Sequence, residues 1–111
     1  MKPGAQAEQL AATYLQRHGL TLVQANYHCR FGEIDLILRD RETLVFAEVR
    51  QRSRGDFGGA AASIDSHKQQ RLILTAQHYL ASLASIPPCR FDAVLLDGAG
   101  NIDWVRSAFE L

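Results

Sequence analysis

Two acids stand where packing alone would place apolar side chains. Asp35 lies inside the run Gly32-Glu-Ile-Asp-Leu-Ile-Leu38, and Glu48 inside Leu44-Val-Phe-Ala-Glu-Val49. The charged stretch Arg39-Asp-Arg-Glu-Thr43 between them reads as a turn, so the two runs form an antiparallel hairpin. With the turn at residues 40–43, Asp35 faces Glu48, Glu33 faces Arg50, and Ile37 faces Phe46. The other side of this hairpin carries Ile34, Leu36, Leu38, Val45, Ala47 and Val49, an apolar face fit for a core.

Directly opposed side chains in an antiparallel pair have Cβ atoms about 4.5–5.5 Å apart, and like charges at that spacing are destabilising. A divalent cation removes the conflict. Hard ions such as Mg²⁺ or Mn²⁺ take oxygen from one or two carboxylates and fill their other positions with water and phosphate. An ion shared by Asp35 and Glu48 polarises a phosphate oxygen and helps ionise a water. The alternative is plainer: both acids point to solvent near a sheet edge, with Glu33 and Arg50 as a surface ion pair.

Arg50, Arg52 and Arg54 follow at once, and after them Gly55, Phe57, Gly58 and Gly59. The chain has a formal net charge of +0, so a polyanion has no overall field to follow and needs a local patch. Arginines with glycine-freed amides can hold phosphates, and Phe57 can stack on a base. A solvated loop is the competing reading. Other chemistry is poorly supported. His18, His28, His67 and His78 lack zinc-ligand spacing, Cys29 and Cys89 form no Cys-x-x-Cys pair, and there is no phosphate-binding glycine loop.

The elements that must position these residues follow from periodicity. Residues 5–18 read as a helix, with Ala7, Leu10, Ala11, Tyr14, Leu15 and His18 at helical steps and Gly19 as its stop. Thr21 to Tyr27 is a first strand, and the hairpin supplies the second and third. A second helix starts with Ser63 or Ser66 as cap, Ser66 and Gln69 forming a capping box, and runs to about Ser85 before Pro87-Pro88. Phe91 to Leu96 makes a fourth strand and Ile102 to Val105 a short fifth. The order α-β-β-β-α-β-β predicts an α/β fold, a mixed sheet covered by helices. The 111 residues suit one domain, and their 47% hydrophobic and 22% charged fractions are those of an ordinary globular chain. No apolar run is long enough for a membrane span, and the cysteine usage fits a reducing cytoplasm.

Asp35, a gap of 12 residues, and Glu48-Val49-Arg50 together resemble the Asp…Glu-x-Lys core of restriction-endonuclease-like nucleases. A longer ordered set resembles the YraN-like family of endonucleases, related in fold to archaeal Holliday-junction resolvases. It comprises Gly4 with Ala7-Glu8, Gly32-Glu-Ile-Asp-Leu-Ile37, Val45-Phe-Ala-Glu-Val-Arg50, Phe57-Gly58, Lys68 and Arg90-Phe-Asp92. The resemblance implies a restriction-endonuclease-like fold and Mg²⁺- or Mn²⁺-dependent hydrolysis of DNA phosphodiesters. It implies metal ligands at Asp35, Glu48, the Val49 carbonyl and Glu8, with Glu33 as a supporting acid behind them. It also implies a possible pairing of two copies to cut two strands.

Position 50 departs from the pattern, because arginine replaces the lysine. Arginine stays protonated and cannot act as a general base, but its forked donors can clamp a phosphate and stabilise transition-state charge. Lys68, at the start of the second helix, can reach phosphate from a neighbouring position. Two function classes therefore stay open. One is a metal-dependent endonuclease acting on branched, damaged or single-stranded DNA. The other is a non-catalytic nucleic-acid-binding or adaptor domain that keeps the nuclease fold. With no groove-reading helix in the pattern, recognition should depend on backbone and shape.

Overall fold

The computed structural model describes residues 4–51 and 64–110 of the chain. Helix α1 spans Ala5–Arg17 and buries Ala7, Glu8, Ala11, Ala12 and Leu15 along one side. It ends where Gly19 takes a φ of 97°, a left-handed conformation that costs glycine little. The Leu20 N–H then closes back on the Leu15 carbonyl and seats Leu20 in the core.

Five strands follow the predicted order: β1 (Thr21–Cys29), β2 (Gly32–Asp40), β3 (Thr43–Gln51), β4 (Cys89–Leu96) and β5 (Ile102–Phe109), with helix α2 (Ser66–Leu80) between β3 and β4. They form one sheet in the order β1-β2-β3-β4-β5. The β3–β4 pair is parallel and the other three are antiparallel, so α2 lies within the crossover that a parallel pair requires. This is the α/β architecture expected of a restriction-endonuclease-like fold.

The sheet separates two apolar clusters. On one side α1 packs with Leu36, Leu38, Val45, Ala47, Val49, Val94 and Leu96. On the other, Leu72, Ala76 and Leu80 of α2 meet Ile37, Leu44, Phe46, Phe91, Ala93 and Leu95. The hairpin register is the expected one where the two strands pair, with Leu36 opposite Ala47 and Ile37 opposite Phe46. Ile34 is a correction. It was expected beside Leu36, yet it packs on the α2 side. The strand faces turn over at Asp35, beside Asn26 of β1, which lies between the pairs Ala25–Leu36 and Tyr27–Ile34 and has a φ of 55°.

Helix α2 also differs at both ends from its predicted form. Its cap is Asp65, which accepts from the Lys68 N–H at 2.8 Å, while Gln69 donates to the Ile64 carbonyl; Ser66 is already helical. It stops at Leu80 rather than Ser85. Ser82 bonds the Tyr79 carbonyl through both its hydroxyl and its N–H, and Leu83 bonds Leu80, so the chain tightens into turns.

Strand β5 is longer than predicted because a break in its alternation hid its second half. Ser107 sits at φ 51° where the β4–β5 register shifts. The fully buried Asp92 of β4 holds that irregularity. It accepts from Ser107 N–H at 3.0 Å, Trp104 Nε1 at 2.9 Å and Arg90 Nε at 3.0 Å.

Candidate metal and nucleic-acid site

Asp35 and Glu48 are both buried, at 1% and 7% exposure, although each is an acid on a strand. The pairing of β2 with β3 runs from Asp40–Thr43 as far as Leu36–Ala47. Asp35 is the next residue beyond it, and its side chain takes over: Oδ2 accepts the backbone N–H of Val49 at 2.8 Å. An acid that receives a backbone amide in a buried place is held in one position. Val49, the residue expected to offer a carbonyl to a metal, is thereby fixed beside Asp35.

Glu48 follows Phe46 by two residues on β3 and so shares its α2-covered side. Burial pushes its carboxyl up to about 8, a hydrogen bond to Asp35 and that neighbour's charge add to the rise, and Lys68 opposes it. Without a cation, one proton shared by two adjoining carboxyls settles the conflict between them.

Lys68 is the residue whose place the sequence understated. Its Nζ lies 3.2 Å from Glu48 Oε2, with the lysine side chain 42% exposed and the acid nearly covered. The Asp65 cap fixes the first turn of α2, and that turn carries Lys68 over the end of β3. A lysine thus stands at the acid pair although position 50 holds arginine. Arg50 is half-buried opposite Leu95 of β4, two residues after Glu48 and on the same side of the strand.

The remaining expected residues are more widely placed. Glu8 is buried on α1, at 6% exposure. Among the described residues no group of three or more His, Cys, Asp or Glu side chains is gathered as a metal cage. Glu33 pairs with His28 of β1 and lies 3.5 Å from its Nδ1. Arg52, Arg54 and Phe57 lie outside the described residues.

Gly32 is a structural part of the site that the sequence reading treated only as motif. It has a φ of 150°, and a Cβ there would meet Thr75 Oγ1 at 3.2 Å and the Arg71 guanidinium at 4.0 Å. Its missing side chain lets α2 press against the start of β2, three residues before Asp35. Among the described residues no helix is long and apolar enough to cross a membrane.

Comparison with known proteins covers the same residues. The model of "Uncharacterised protein family UPF0102" matches residues 7–96. The chain is 59% identical to a UPF0102 protein of Nitrosomonas europaea over 109 residues, 96% of this chain and 92% of the relative. It is 56% identical over 110 residues to one of Nitrosospira multiformis, covering 97% and 92% of the two chains. A Cupriavidus necator relative is 56% identical over 108 residues, covering 96% and 82%. On matches that run through Glu8, Asp35, Glu48, Lys68 and Asp92, this chain belongs to the UPF0102 family, the YraN-like proteins.

Proposed function

We propose that this protein is a metal-dependent endonuclease that hydrolyses phosphodiester bonds of DNA, with Asp35 and Glu48 holding Mg²⁺ or Mn²⁺. The observation that carries the reading is the buried pair itself: two adjoining carboxyls, one locked by the Val49 amide and the other faced by Lys68. Their donor chemistry fits the ion. Both offer hard oxygen, and Mg²⁺ needs only one or two protein carboxylates because water and phosphate complete its shell. The Val49 carbonyl is the further ligand of this reading, and among the described residues Glu8 is not gathered with the acid pair. When bound, the ion supplies Lewis-acid polarisation of phosphate and a more acidic water.

The chain's own residues do the rest. Val49 N–H holds the Asp35 carboxylate in one orientation. Lys68 brings a positive charge to the acid pair, where it favours the ionised Glu48 and can donate to a phosphate oxygen. Arg50 offers two parallel donors to the same phosphate and stays cationic as negative charge builds on phosphorus. Arg52, Arg54 and Phe57 extend the grip along the DNA strand, and Glu33 lies beside His28 at the start of β2. Water oxygen bonds to phosphorus while the bond from phosphorus to the leaving oxygen breaks, and that oxygen takes up a proton. Cutting both strands of a branched duplex calls for two such sites, hence two copies of the chain.

A second reading, a nucleic-acid-binding adaptor without cleavage, draws support from Arg50 and from the self-contained Glu48–Lys68 ion pair. Purified protein with Mn²⁺ on branched and single-stranded DNA separates the two. The endonuclease reading expects nicks that vanish in Asp35→Ala and with chelator. Salt-sensitive DNA binding without any nicking supports the adaptor instead.

A further inference from the structure

The acid pair occupies one end of a ridge that continues along α2 to the β1–β2 turn. Helix positions 68, 71, 75 and 78 are spaced by three, four and three residues, so they form a single stripe. Lys68 is at Glu48, and the Arg71 guanidinium lies over Gly32. Thr75 is buried against the same glycine, which fixes the direction of the stripe. His78 reaches the turn. There it hydrogen-bonds Tyr27 through Nδ1 and lies with its ring 6.2 Å from Phe31. Arg30 places its guanidinium 4.8 Å from the centre of the Phe31 ring.

Charge along this ridge is one-sided. The sequence of α2, SHKQQRLILTAQHYL, has a lysine, an arginine and two histidines but no acid. The whole chain carries 12 acids against 12 lysines and arginines, so a 15-residue helix without a carboxylate is a concentration of positive charge. The nearby acids are already engaged. Asp65 caps the helix, Glu48 meets Lys68, and Glu33 lies against His28. Arg30, Arg71 and His78 are exposed, and Phe31 is half-buried.

Resting on the nucleic-acid reading above, we propose that Arg71, Arg30, Phe31 and His78 form a path for a single nucleic-acid strand leading away from the acid pair. Arg71 and Arg30 hold phosphates, and Phe31 offers a ring on which a base stacks. The Tyr27–His78 hydrogen bond ties β1 to α2 and keeps this platform rigid. Stacking and phosphate contact are indifferent to base identity, so the path binds without sequence preference.

The test is fluorescence anisotropy of a labelled 12-nucleotide mixed-sequence DNA, titrated in EDTA over a salt series so that neither metal nor cleavage intervenes. The exposed pair Arg30→Gln/Arg71→Gln should weaken binding at least tenfold and lower the salt slope by about 1.4, two single-strand phosphates at about 0.7 each. Phe31→Leu should weaken it about tenfold and leave the slope unchanged. A wild-type protein that binds while the arginine pair binds equally well, with the same slope, overturns the path and leaves the endonuclease reading standing. No salt-sensitive binding by the wild type removes both. Specific Mn²⁺ binding lost in Glu48→Gln, measured separately, shows whether the metal centre survives that outcome.

Discussion

The backbone amide of Val49 donates to the carboxylate of Asp35 across 2.8 Å, joining β3 to the side chain of β2 just past their paired segment. A strand normally spends its amides on a neighbouring backbone. Here the amide orients an acid, and the next acid along, Glu48, is brought against it. The arrangement is costly for two anions and favourable for a cation between them, which is why it points to metal chemistry rather than to packing.

Lys68 should matter more than its place on a helix surface suggests. Replacing it with alanine removes the charge 3.2 Å from Glu48, and cleavage of a branched DNA should fall by about 10²–10³, the usual loss for one stabilising group at reacting phosphate. The same variant should raise the Glu48 titration midpoint further, because Lys68 is what lowers it. Carbon NMR of the labelled glutamate side chain reads that midpoint. An unchanged midpoint together with unimpaired cleavage would remove Lys68 from the site.

Glu48 makes stability depend on pH. Its carboxyl rises from 4.5 to about 8 on folding, so across that window the folded chain holds a proton that the unfolded chain has lost. This contribution is complete below about pH 4.5 and disappears as pH climbs through about 8. In chelator, unfolding free energy should therefore fall with rising pH, by at most about 1.4 kcal/mol per unit. Urea titrations of wild type and Glu48→Gln check it, and the glutamine variant should show the flatter profile. Equal slopes in the two proteins would contradict the assignment.

Asp92 carries a structural prediction. It is fully buried and receives Arg90, Trp104 and the Ser107 amide, so truncation leaves three donors unmatched at the β4–β5 bulge. Asp92→Ala should cost about 3–5 kcal/mol by urea unfolding. A loss below about 1 kcal/mol would show that the edge strand is held by other contacts.

Much of this was legible in the chain because strand chemistry is local. Alternation and the 40–43 turn set the register that brings Asp35 towards Glu48, and the helical stripe of α1 gave Ala7, Ala11 and Leu15 of its buried side. Leu10 and His18 of that stripe face outward, and Glu8 and Ala12 are buried instead. Ile34 escaped because the faces turn over at Asp35, beside the left-handed Asn26 of the neighbouring strand, where simple alternation fails. The second half of β5 escaped for a related reason, since Ser107 breaks the period that reveals a strand. The sequence places Lys68 at the start of the second helix, within reach of phosphate from a neighbouring position. Its approach to Glu48 depends on how a crossover helix packs on the sheet, and no pattern along the sequence encodes that distance. The Asp65 cap, one residue before the expected box, has the same origin: several nearby side chains can cap, and tertiary packing selects one.

The central claim is that Asp35 and Glu48 share a divalent cation, and calorimetric titration of Mn²⁺ tests it most directly. The wild type should bind at one specific site and release close to one proton per ion at pH 7, because a carboxyl lifted to about 8 must ionise first. Its apparent affinity should rise nearly tenfold per pH unit up to about 8, and Glu48→Gln should lose the site while remaining folded. Equal Mn²⁺ binding by wild type and Glu48→Gln, with no proton released, would contradict the account.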